Sequence, residues 1–252
     1  MTRTDRATRW TSDLHDAASF LTSVIPGRSA PSPQSMTYFP GVGAAIGLAV
    51  GGIWIIARRS LGSWPGAVVA TVADVGLTGA LHLDGVADYA DGVFAHVPVK
   101  SRLEIMSEPQ VGTFAAVALS TTLLARSAAF AALEPSPLLI GSLWGCSRAL
   151  MVIASRTLPY AREHGLATPF LEAEHERDHA VAVALSTVAA TALVLYRTNG
   201  RRGVFAMGAG LIAGSGVLQL ARRRLGGFTG DVLGAAGVVF ETIALVTLAE
   251  SR

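Results

Sequence analysis

The sequence predicts an all-α, polytopic integral membrane bundle. Only 15% of its 252 residues are charged and 51% are hydrophobic, whereas a soluble domain carries about 25% charged residues. The mean hydropathy is +0.47. The apolar residues also fall into segments of the roughly 17 to 25 residues that are needed to cross a bilayer. These observations exclude an ordinary soluble domain, and we expect one membrane-embedded domain over residues 1–252.

Seven apolar segments are each predicted to form a transmembrane helix. They cover residues 39–57, 64–82, 110–133, 137–156, 180–196, 203–220 and 233–249. Ahead of them, an apolar stripe recurs at helical spacing at Trp10, Leu14, Ala17 and Leu21. Residues 1–36 are therefore expected to form an interfacial segment whose helix lies along the membrane surface. A helix packed on the polar loops is the alternative explanation of the same stripe.

Basic residues are distributed unevenly between the two sides that these spans define. The N-terminal segment and the loops 83–109, 157–179 and 221–232 hold 12 Lys and Arg, counting Arg156 at a span edge, and the opposite side holds 6. Cytoplasmic loops carry the excess of basic residues in membrane proteins. The polar loops and the N-terminus are therefore predicted to face the cytoplasm.

The chemistry is expected in residues 82–92, which place three aspartates in eight residues beside a predicted span. On a helix of 3.6 residues per turn, Asp84, Asp88 and Asp91 fall within an arc of roughly 60°. Carboxylates this close repel one another unless a cation lies among them, and an all-oxygen ligand set suits Mg²⁺. A solvated acidic face is the alternative, but the apolar segments on both sides favour a metal site.

Glycines and further acids accompany the aspartates. Gly85 and Gly92 lie at the edge of the acidic arc, and the notch that they leave is predicted to admit a phosphate. Glu104 and Glu108 are i,i+4 neighbours on a short predicted helix. This second acidic pair is either solvated or shares the cation site.

The loop before the last span joins a basic run to a glycine turn and an acid, Asp231. Arginines bind phosphate oxygens in pairs, and the backbone N–H groups at a helix start favour anions. Lipid headgroups are the alternative ligand for the arginines. The predicted substrate-binding residues are Gly85, Gly92, Arg102, Arg162, Arg222, Arg223, Gly227, Thr229 and Gly230.

Carboxylates for a metal and arginines for phosphate together predict phosphoryl transfer on a diphosphate-containing substrate at the membrane surface. Asp91, at the predicted solvent end of the arc, is expected to take the proton from the attacking hydroxyl. Asp88 is expected to take part in the chemistry, and His82 either supports the site from the other side of the helix or serves as the base. The predicted metal ligands are Asp84, Asp88, Asp91, Glu104, Glu108 and Asp231.

Asp74 lies inside the second predicted span, where a charge either pairs with another buried residue or has a function. Arg126 and Arg148 are its expected partners. A transporter that uses Asp74, Glu241 and the loop aspartates as a cation path is the alternative of a different class. That reading needs acids at mid-membrane, whereas most of these acids lie at a span end.

Several stretches resemble one known family. HLDGVADYADGVF (82–94), SRLEIM (101–106), GTF (112–114), YAREHGL (160–166) and LGGFTGDVLGA (225–235) are similar, in this order, to the cobalamin synthase (adenosylcobinamide-GDP ribazoletransferase) family. A weaker likeness covers residues 20–26 and 37–47. The HLDG-x-AD-x-x-DG signature is highly specific, and the likeness extends along nearly the whole chain.

The resemblance implies that α-ribazole, or its 5′-phosphate, is transferred to adenosylcobinamide-GDP with release of GMP and with a requirement for Mg²⁺. It places Asp84, Asp88 and Asp91 at metal-binding positions, and in the transfer that it implies Asp91 is expected to take the proton from the 5′-hydroxyl of the ribose. It also implies a multi-pass protein of the cytoplasmic membrane of a prokaryote. The expected partners are the two small-molecule substrates and membrane lipid, with no nucleic acid, and the oligomeric state is left open, a homo-oligomer included.

Some positions depart from the family pattern. Glu108 and Gln110 stand where the family usually has Asp and Arg, and Gln cannot supply the charge that an arginine gives a phosphate. Val232 and Val238 replace a usual Thr and a usual acid, whereas Glu241 is retained. The aspartate spacing is also similar to the motif of CDP-alcohol phosphotransferases, which make phospholipids, but that motif needs an Ala-Arg pair and a fourth aspartate that this chain lacks.

Overall fold

The computed structural model of the chain describes residues 3–27, 32–162 and 177–250. Every regular element within these ranges is a helix, which confirms the all-α class. Predictions that involve residues 1–2, 28–31, 163–176 and 251–252 lie outside the described residues, and these include most of the YAREHGL stretch. The elements are α1 (Arg3–Leu21), a 3₁₀ helix (Pro33–Tyr38), α2 (Phe39–Leu61), α3 (Ser63–Thr78), α4 (Leu81–Phe94), α5 (Val99–Ile105), α6 (Thr113–Ala132), α7 (Pro137–Thr157), α8 (Arg177–Leu225) and α9 (Gly230–Glu250).

Five helical stretches are long and apolar enough to cross a membrane, and α3 together with α4 forms a sixth, bent candidate. Helix α8 has 49 residues, and at 1.5 Å per residue it would measure about 74 Å, more than twice the hydrocarbon thickness. It is broken at Gly200, where φ is 64° and ψ is −148°. A Cβ on Gly203 would lie 2.5 Å from the carbonyl oxygen of Leu195, so the two arms approach closely at this break. The total of seven spans depends on counting the two arms separately, and it stays a prediction.

The second predicted span ends earlier than residue 82. Helix α3 stops at Thr78, and α4 leaves it at an angle of 90°. The turn consists of Gly79 and Ala80, which both have a φ of 60°. Glycine accepts this left-handed conformation readily, whereas an alanine there is strained. The bend turns α4 through 90° from the direction of α3, which agrees with the prediction that the aspartates lie at the end of a span.

Helix α7 is the centre of the bundle, and most of its side chains are buried. Helix α2 packs directly on its backbone. A Cβ on Gly47 would lie 2.6 Å from the carbonyl oxygen of Ile140, so the two helices can approach this closely only without a side chain there. Helix α9 makes a similar contact with α8, where a Cβ on Gly210 would lie 2.7 Å from the carbonyl oxygen of Phe240. Small residues thus set the helix spacing, as is common in membrane bundles.

The N-terminal stripe forms a helix, as predicted, but its two halves differ in environment. Ala17 and Leu21 are fully buried against the bundle, whereas Trp10 and Leu14 are 49% and 40% exposed. Phe20 stacks on Phe39 of α2 with ring centroids 5.7 Å apart. The second half of α1 therefore packs on the protein, and its first half keeps an apolar surface available to lipid.

The loops group at two ends of the bundle as predicted. At one end, the backbone N–H of Phe228 donates to Pro159 and that of Ala161 donates to Phe228, both at 2.9 Å. At the other end, Arg58 pairs with Glu134 at 3.0 Å. The polar loops that follow α3, α7 and α8 consequently share one end, and the connection between α6 and α7 lies at the opposite end.

Candidate active site

The three aspartates of α4 share one face, as the helical spacing predicts. Asp84 is exposed and Asp88 and Asp91 are partly exposed, whereas the residues between them are buried. The prediction that Asp91 lies nearest the solvent is wrong, because Asp84 is the most exposed of the three. The buried positions of this helix segment are Gly85, Val86, Ala87, Tyr89, Ala90, Gly92 and Val93.

The start of α9 packs against this helix and contributes a fourth carboxylate. A Cβ on Gly85 would lie 2.7 Å from the backbone oxygen of Asp231 and 3.0 Å from its Cα. The missing side chain therefore admits the protein backbone, and the prediction that Gly85 admits a phosphate is wrong. The same holds for Gly92, where a Cβ would clash with the side chain of Met106 and lie 3.0 Å from the carbonyl oxygen of Arg102.

Asp231 is held by neighbours on both sides. Arg162 approaches its Oδ2 at 3.4 Å and also donates to the backbone oxygen of Met106 at 3.3 Å. The hydroxyl of Thr229 donates to the same Oδ2 at 3.2 Å and accepts from the N–H of Val232 at 3.3 Å. Through these bonds Thr229 caps the start of α9. Because its side chain is fully buried and already hydrogen-bonded within the protein, the predicted contact of Thr229 with substrate is disfavoured.

Asp88 lies among charges of its own sign. The pKa of this carboxyl is raised to about 7, mainly by burial and in addition by the carboxylates of Asp231, Asp84 and Asp91, while Arg162 acts in the opposite direction. A carboxylate with so few compensating cations attracts a metal ion or the cationic part of a ligand. The electrostatics of the site therefore agree with the predicted need for a cation.

Asp91 caps the start of α6, a structural role that could not be predicted from the sequence. Its Oδ2 accepts the backbone N–H of Gly112 at 2.6 Å and its Oδ1 accepts that of Ala115 at 3.0 Å. These are free N–H groups at the start of α6, which a carboxylate caps well. Both oxygens are therefore engaged, which disfavours Asp91 as the residue that removes a proton from substrate.

Arg102 is also occupied by the protein. It is buried, and its guanidinium donates to the carbonyl oxygens of Val97 at 2.9 Å and Val93 at 2.5 Å. These carbonyls lie at and just beyond the end of α4, where cationic donors are favourable. Arg102 thus fixes the connection between α4 and α5, which argues against its predicted contact with substrate, and that role stays a prediction.

The second acidic pair lines a wide groove beside the aspartate face. Glu104 and Glu108 are exposed, and they share a groove of about 1290 Å³ with Lys100 and Arg162. This groove is large enough for a nucleotide-sized ligand. The pair lies next to Arg162, and its predicted role as metal ligands stays a prediction.

The loop before α9 keeps some of its predicted binding groups free. Arg222 and Arg223 are exposed at the end of α8, and Gly230 has open space where a side chain would lie. Gly227 differs, because a Cβ there would clash with the backbone oxygen of Pro159. Gly227 therefore serves the packing of two loops, and the prediction that it contacts substrate is wrong.

His82 lies on the far side of α4 from the acids, as expected. It is only 7% exposed, and its Nδ1 is buried without a hydrogen-bond partner. Helix α9 packs against it at Gly234, where a Cβ would lie 3.3 Å from the Cα of His82. The imidazole thus lies behind Asp231, between two helix starts.

A buried ion network lies beneath the site. Arg126 donates to Asp74 at 2.6 Å and also pairs with Glu241, which in turn pairs with Arg148. Trp144 donates to the other oxygen of Asp74 at 2.7 Å. The predicted pairing of Asp74 with Arg126 is confirmed. The sequence signal for the rest of the network was Glu241, an acid inside the last predicted span. Both acids are neutralised by arginines, which argues against a cation path through them.

The chain is similar to known proteins over most of its length. The family model for cobalamin-5-phosphate synthase matches residues 13–249. An adenosylcobinamide-GDP ribazoletransferase of Chlorobium chlorochromatii is 34% identical over 229 residues, which are 88% of this chain and 89% of the relative.

Two further relatives carry the same name. That of Citrobacter koseri is 36% identical over 85% of this chain and 87% of the relative, and that of Syntrophobacter fumaroxidans is 37% identical over 84% and 85%. No solved structure gives a significant match. Because the family model covers nearly all of the chain and these relatives share more than 30% identity over most of it, the chain belongs to the cobalamin-5-phosphate synthase family.

Proposed function

We propose that this protein is a membrane-bound transferase that joins α-ribazole, or its 5′-phosphate, to adenosylcobinamide-GDP and releases GMP. The proposal rests mainly on one observation. Asp84 and Asp88 lie close to Asp231 and Arg162 at one polar end of the bundle. In phosphoryl transfer, most of the catalysis comes from positioning and from neutralising charge. The family model covers every residue of this site, and the relatives with this activity in their name match most of the chain.

The carboxylates fit a Mg²⁺ ion by their chemistry. They offer only oxygen ligands, which hard cations prefer, and the pKa of Asp88 is raised by its burial and by the neighbouring carboxylates, both of which a bound cation would offset. Within the described part of the chain, no three acidic, histidine or cysteine side chains already converge as a ligand set. Asp84, Asp88 and Asp231 would hold the ion after rotation of their side chains. Bound there, Mg²⁺ supplies the charge that stabilises the departing phosphate.

The remaining tasks fall to residues of the chain itself. Arg162 lies between Asp231 and the wide groove, so its guanidinium can hold a phosphate of the diphosphate donor. Arg222 and Arg223 are exposed at the end of α8 and would extend this positive surface toward the nucleotide. The apolar helices keep the site at the membrane, where the corrinoid donor would be bound.

The proposal includes an orientation. In the sequence, the N-terminal segment and the predicted loops on the carboxylate side hold 12 Lys and Arg, against 6 on the other side, and this bias favours the cytoplasmic side. Nucleotide substrates such as a GDP derivative are cytoplasmic. We therefore place the protein in the cytoplasmic membrane of a prokaryote with its active site facing the cytoplasm.

The test is a GMP-release assay on membranes that contain the protein, with adenosylcobinamide-GDP and Mg²⁺, in the presence and absence of α-ribazole. GMP release that depends on α-ribazole is expected for the unchanged protein. Asp84→Asn and Asp88→Asn should each reduce it below about a tenth, because an amide keeps the shape but loses the charge that holds the metal. Glu134→Gln, an exposed acid at the opposite end, is the matched control.

Two outcomes would contradict the proposal. GMP release that is absent in the unchanged protein, although the protein is present in the membrane and folded, would exclude the transfer. Activity above about a tenth in both aspartate variants would exclude the metal assignment but not the transfer itself.

A further inference from the structure

A small cavity lies behind Asp231, where the starts of α4 and α9 meet the N-terminal segment. Its volume is about 60 Å³. Gly230, beside Asp231, is the exposed member of its lining, so the cavity reaches the surface at the carboxylate face. The wall away from this rim is apolar and consists mainly of Phe20, Leu21, Met36, Phe39 and Met151.

One polar side chain in the wall of the cavity lacks a hydrogen-bond partner. His82 lines the cavity and is 93% buried, since only 7% of it is exposed. Its Nδ1 has no hydrogen-bond partner among the described residues. Buried polar atoms almost always have a partner in the protein, in water or in a ligand. The imidazole nitrogen therefore marks a position where the polar atom of a bound group belongs.

The size and charge of the cavity limit what this group can be. A volume of about 60 Å³ corresponds to roughly two water molecules, so neither a diphosphate nor a nucleobase fits inside. The carboxylate of Asp231 at the rim also repels an anion. A neutral hydroxyl and the carbon that carries it have the right size, with an apolar part for the methionines and a polar part for His82.

We propose that this cavity is the subsite of the acceptor alcohol, in which Nδ1 of His82 hydrogen-bonds the hydroxyl that attacks the diphosphate. The inference rests on the proposed function and deepens it. Because the acceptor with a 5′-phosphate has its 5′ oxygen blocked, a ring hydroxyl of the ribose is the group common to both acceptors. In the transfer, this oxygen forms a new P–O bond, the bond between the two phosphates breaks, GMP leaves, and the hydroxyl proton passes to solvent.

The geometry places this hydroxyl next to the charged site. Asp231 belongs both to the rim of the cavity and to the carboxylate face, and Gly85 holds the backbone of Asp231 against α4. A hydroxyl between His82 and Asp231 would therefore approach the phosphorus from the protein side. The donor would lie on the opposite, exposed side, near Arg162 and the wide groove. The attacking hydroxyl and the donor thus lie on different sides of Asp231, as a displacement in line requires.

The test separates the two nitrogens of the imidazole. Asparagine carries a polar atom close to the position of Nδ1, whereas glutamine carries one close to Nε2. His82→Gln should raise the KM for α-ribazole about tenfold, the effect of one lost hydrogen bond, and leave the KM for adenosylcobinamide-GDP unchanged. His82→Asn should restore the KM for α-ribazole to within about threefold of the original value.

A steric variant tests the same cavity without removing the imidazole. Gly234→Ala adds a methyl group to the cavity wall, 3.3 Å from the Cα of His82 and 3.6 Å from its Cδ2. It should raise the KM for α-ribazole and not that for the donor. Gly208→Ala, which meets open space on α8, is the matched control and should change neither value.

The inference is overturned if His82→Gln leaves the KM for α-ribazole unchanged, if it raises both KM values equally, or if His82→Asn behaves like His82→Gln. Should the histidine variants fail to fold, an unchanged KM for α-ribazole in Gly234→Ala overturns it. Failure of the proposed function is a different result, namely that the unchanged protein releases no GMP with α-ribazole.

Discussion

Asp91 accepts the backbone N–H of Gly112 at 2.6 Å, and this bond ties the end of the aspartate helix to the start of α6. Gly112 has no side chain, and a Cβ there would lie 2.7 Å from the Oδ1 of Asp91. The third aspartate of the signature thus has a structural partner, whereas Asp84 and Asp88 remain available for a ligand. This division of tasks within one acidic face leads to the first prediction.

We expect Asp91→Asn to reduce stability more than catalysis. The amide oxygen can accept only one of the two N–H groups that the carboxylate binds, from Gly112 and Ala115. Loss of such a cap costs about 1 kcal/mol. Thermal unfolding in detergent should show this loss, while GMP release at low temperature should stay above about a tenth of the original. A normal unfolding temperature together with abolished turnover would instead make Asp91 the base.

The ionisation of Asp88 should oppose folding at high pH when no metal is present. Its pKa in the folded protein is about 7, against 3.8 ordinarily, so the folded state favours the protonated form. The stability linked to this group is therefore complete below about pH 4 and is lost as the pH rises through about 7.

Asp88→Asn imitates the protonated form and should raise the Tm relative to the unchanged protein at about pH 8.5 in EDTA, by more than at about pH 5. Mg²⁺ should raise the Tm of the unchanged protein at the higher pH and reduce this difference. Glu250→Gln, an exposed acid at the other end, is the control. A lower Tm of Asp88→Asn at high pH would contradict the electrostatic description of the site.

Ser23 forms hydrogen bonds to the end of α3, next to the turn that sets the direction of α4. Its N–H donates to the carbonyl oxygen of Leu77 at 2.9 Å, and its hydroxyl donates to that of Gly76 at 2.6 Å. These carbonyls belong to the last turn of α3, immediately before the left-handed residues Gly79 and Ala80. The N-terminal segment consequently supports a strained turn on which the direction of α4 depends.

Ser23→Ala should let α4 change direction. The helix is about 21 Å long, so a rotation of about 10° at the turn displaces its far end by about 3.5 Å. Phe94 and Phe114 have ring centroids 5.7 Å apart, so cysteines introduced at both positions in a Cys146→Ala background should be joined by a short bifunctional thiol crosslinker. Ser23→Ala should slow this reaction, and Ser23→Thr should restore it.

Thr22→Ala is the matched control, because the hydroxyl of Thr22 donates back to the last turn of α1, to Ala18 at 2.9 Å. It should leave the rate of crosslinking unchanged. An equal rate in Ser23→Ala would show that the turn keeps its direction without this hydroxyl.

The buried ion network should tolerate the loss of one carboxylate poorly. Glu241→Gln leaves Arg126 with Asp74 as its remaining carboxylate and removes the carboxylate that pairs with Arg148, and breaking a buried pair costs about 3 to 5 kcal/mol. We expect a large fall in the unfolding free energy, measured by denaturant in detergent. Glu134→Gln removes an exposed ion pair with Arg58 and should cost no more than about 1 kcal/mol. Equal effects of both variants would contradict the burial of the network.

The proposed orientation can be tested with single cysteines in a Cys146→Ala background. Ser107 and Thr198 are exposed at opposite ends of the bundle. In intact cells, an impermeant thiol reagent should label a cysteine at position 198 and should reach one at position 107 only after permeabilisation. The reverse pattern would place the carboxylate face outside the cell.

Local periodicity explains what could be predicted from the sequence about the helices. Apolar segments of bilayer length predict spans wherever they occur, and a helical repeat decides which side chains share a face. For this reason the common face of Asp84 and Asp88 was predictable, as was the pairing of Asp74 with an arginine at membrane depth. The end of α3 was placed too late, because Ala80 adopts a left-handed conformation that its residue type does not favour.

The amino-acid sequence by itself determined the membrane class, the acidic face, and through its signature the family. Only the tertiary structure decided which groups fill the glycine notches and which carboxylates stay free. Gly85 receives the backbone of Asp231, which lies 146 residues further along the chain, and Asp91 receives N–H groups more than 20 residues away. A helix repeat specifies the face on which a side chain lies but contains no information about the segment that packs there, because that choice depends on the summed packing of all the helices.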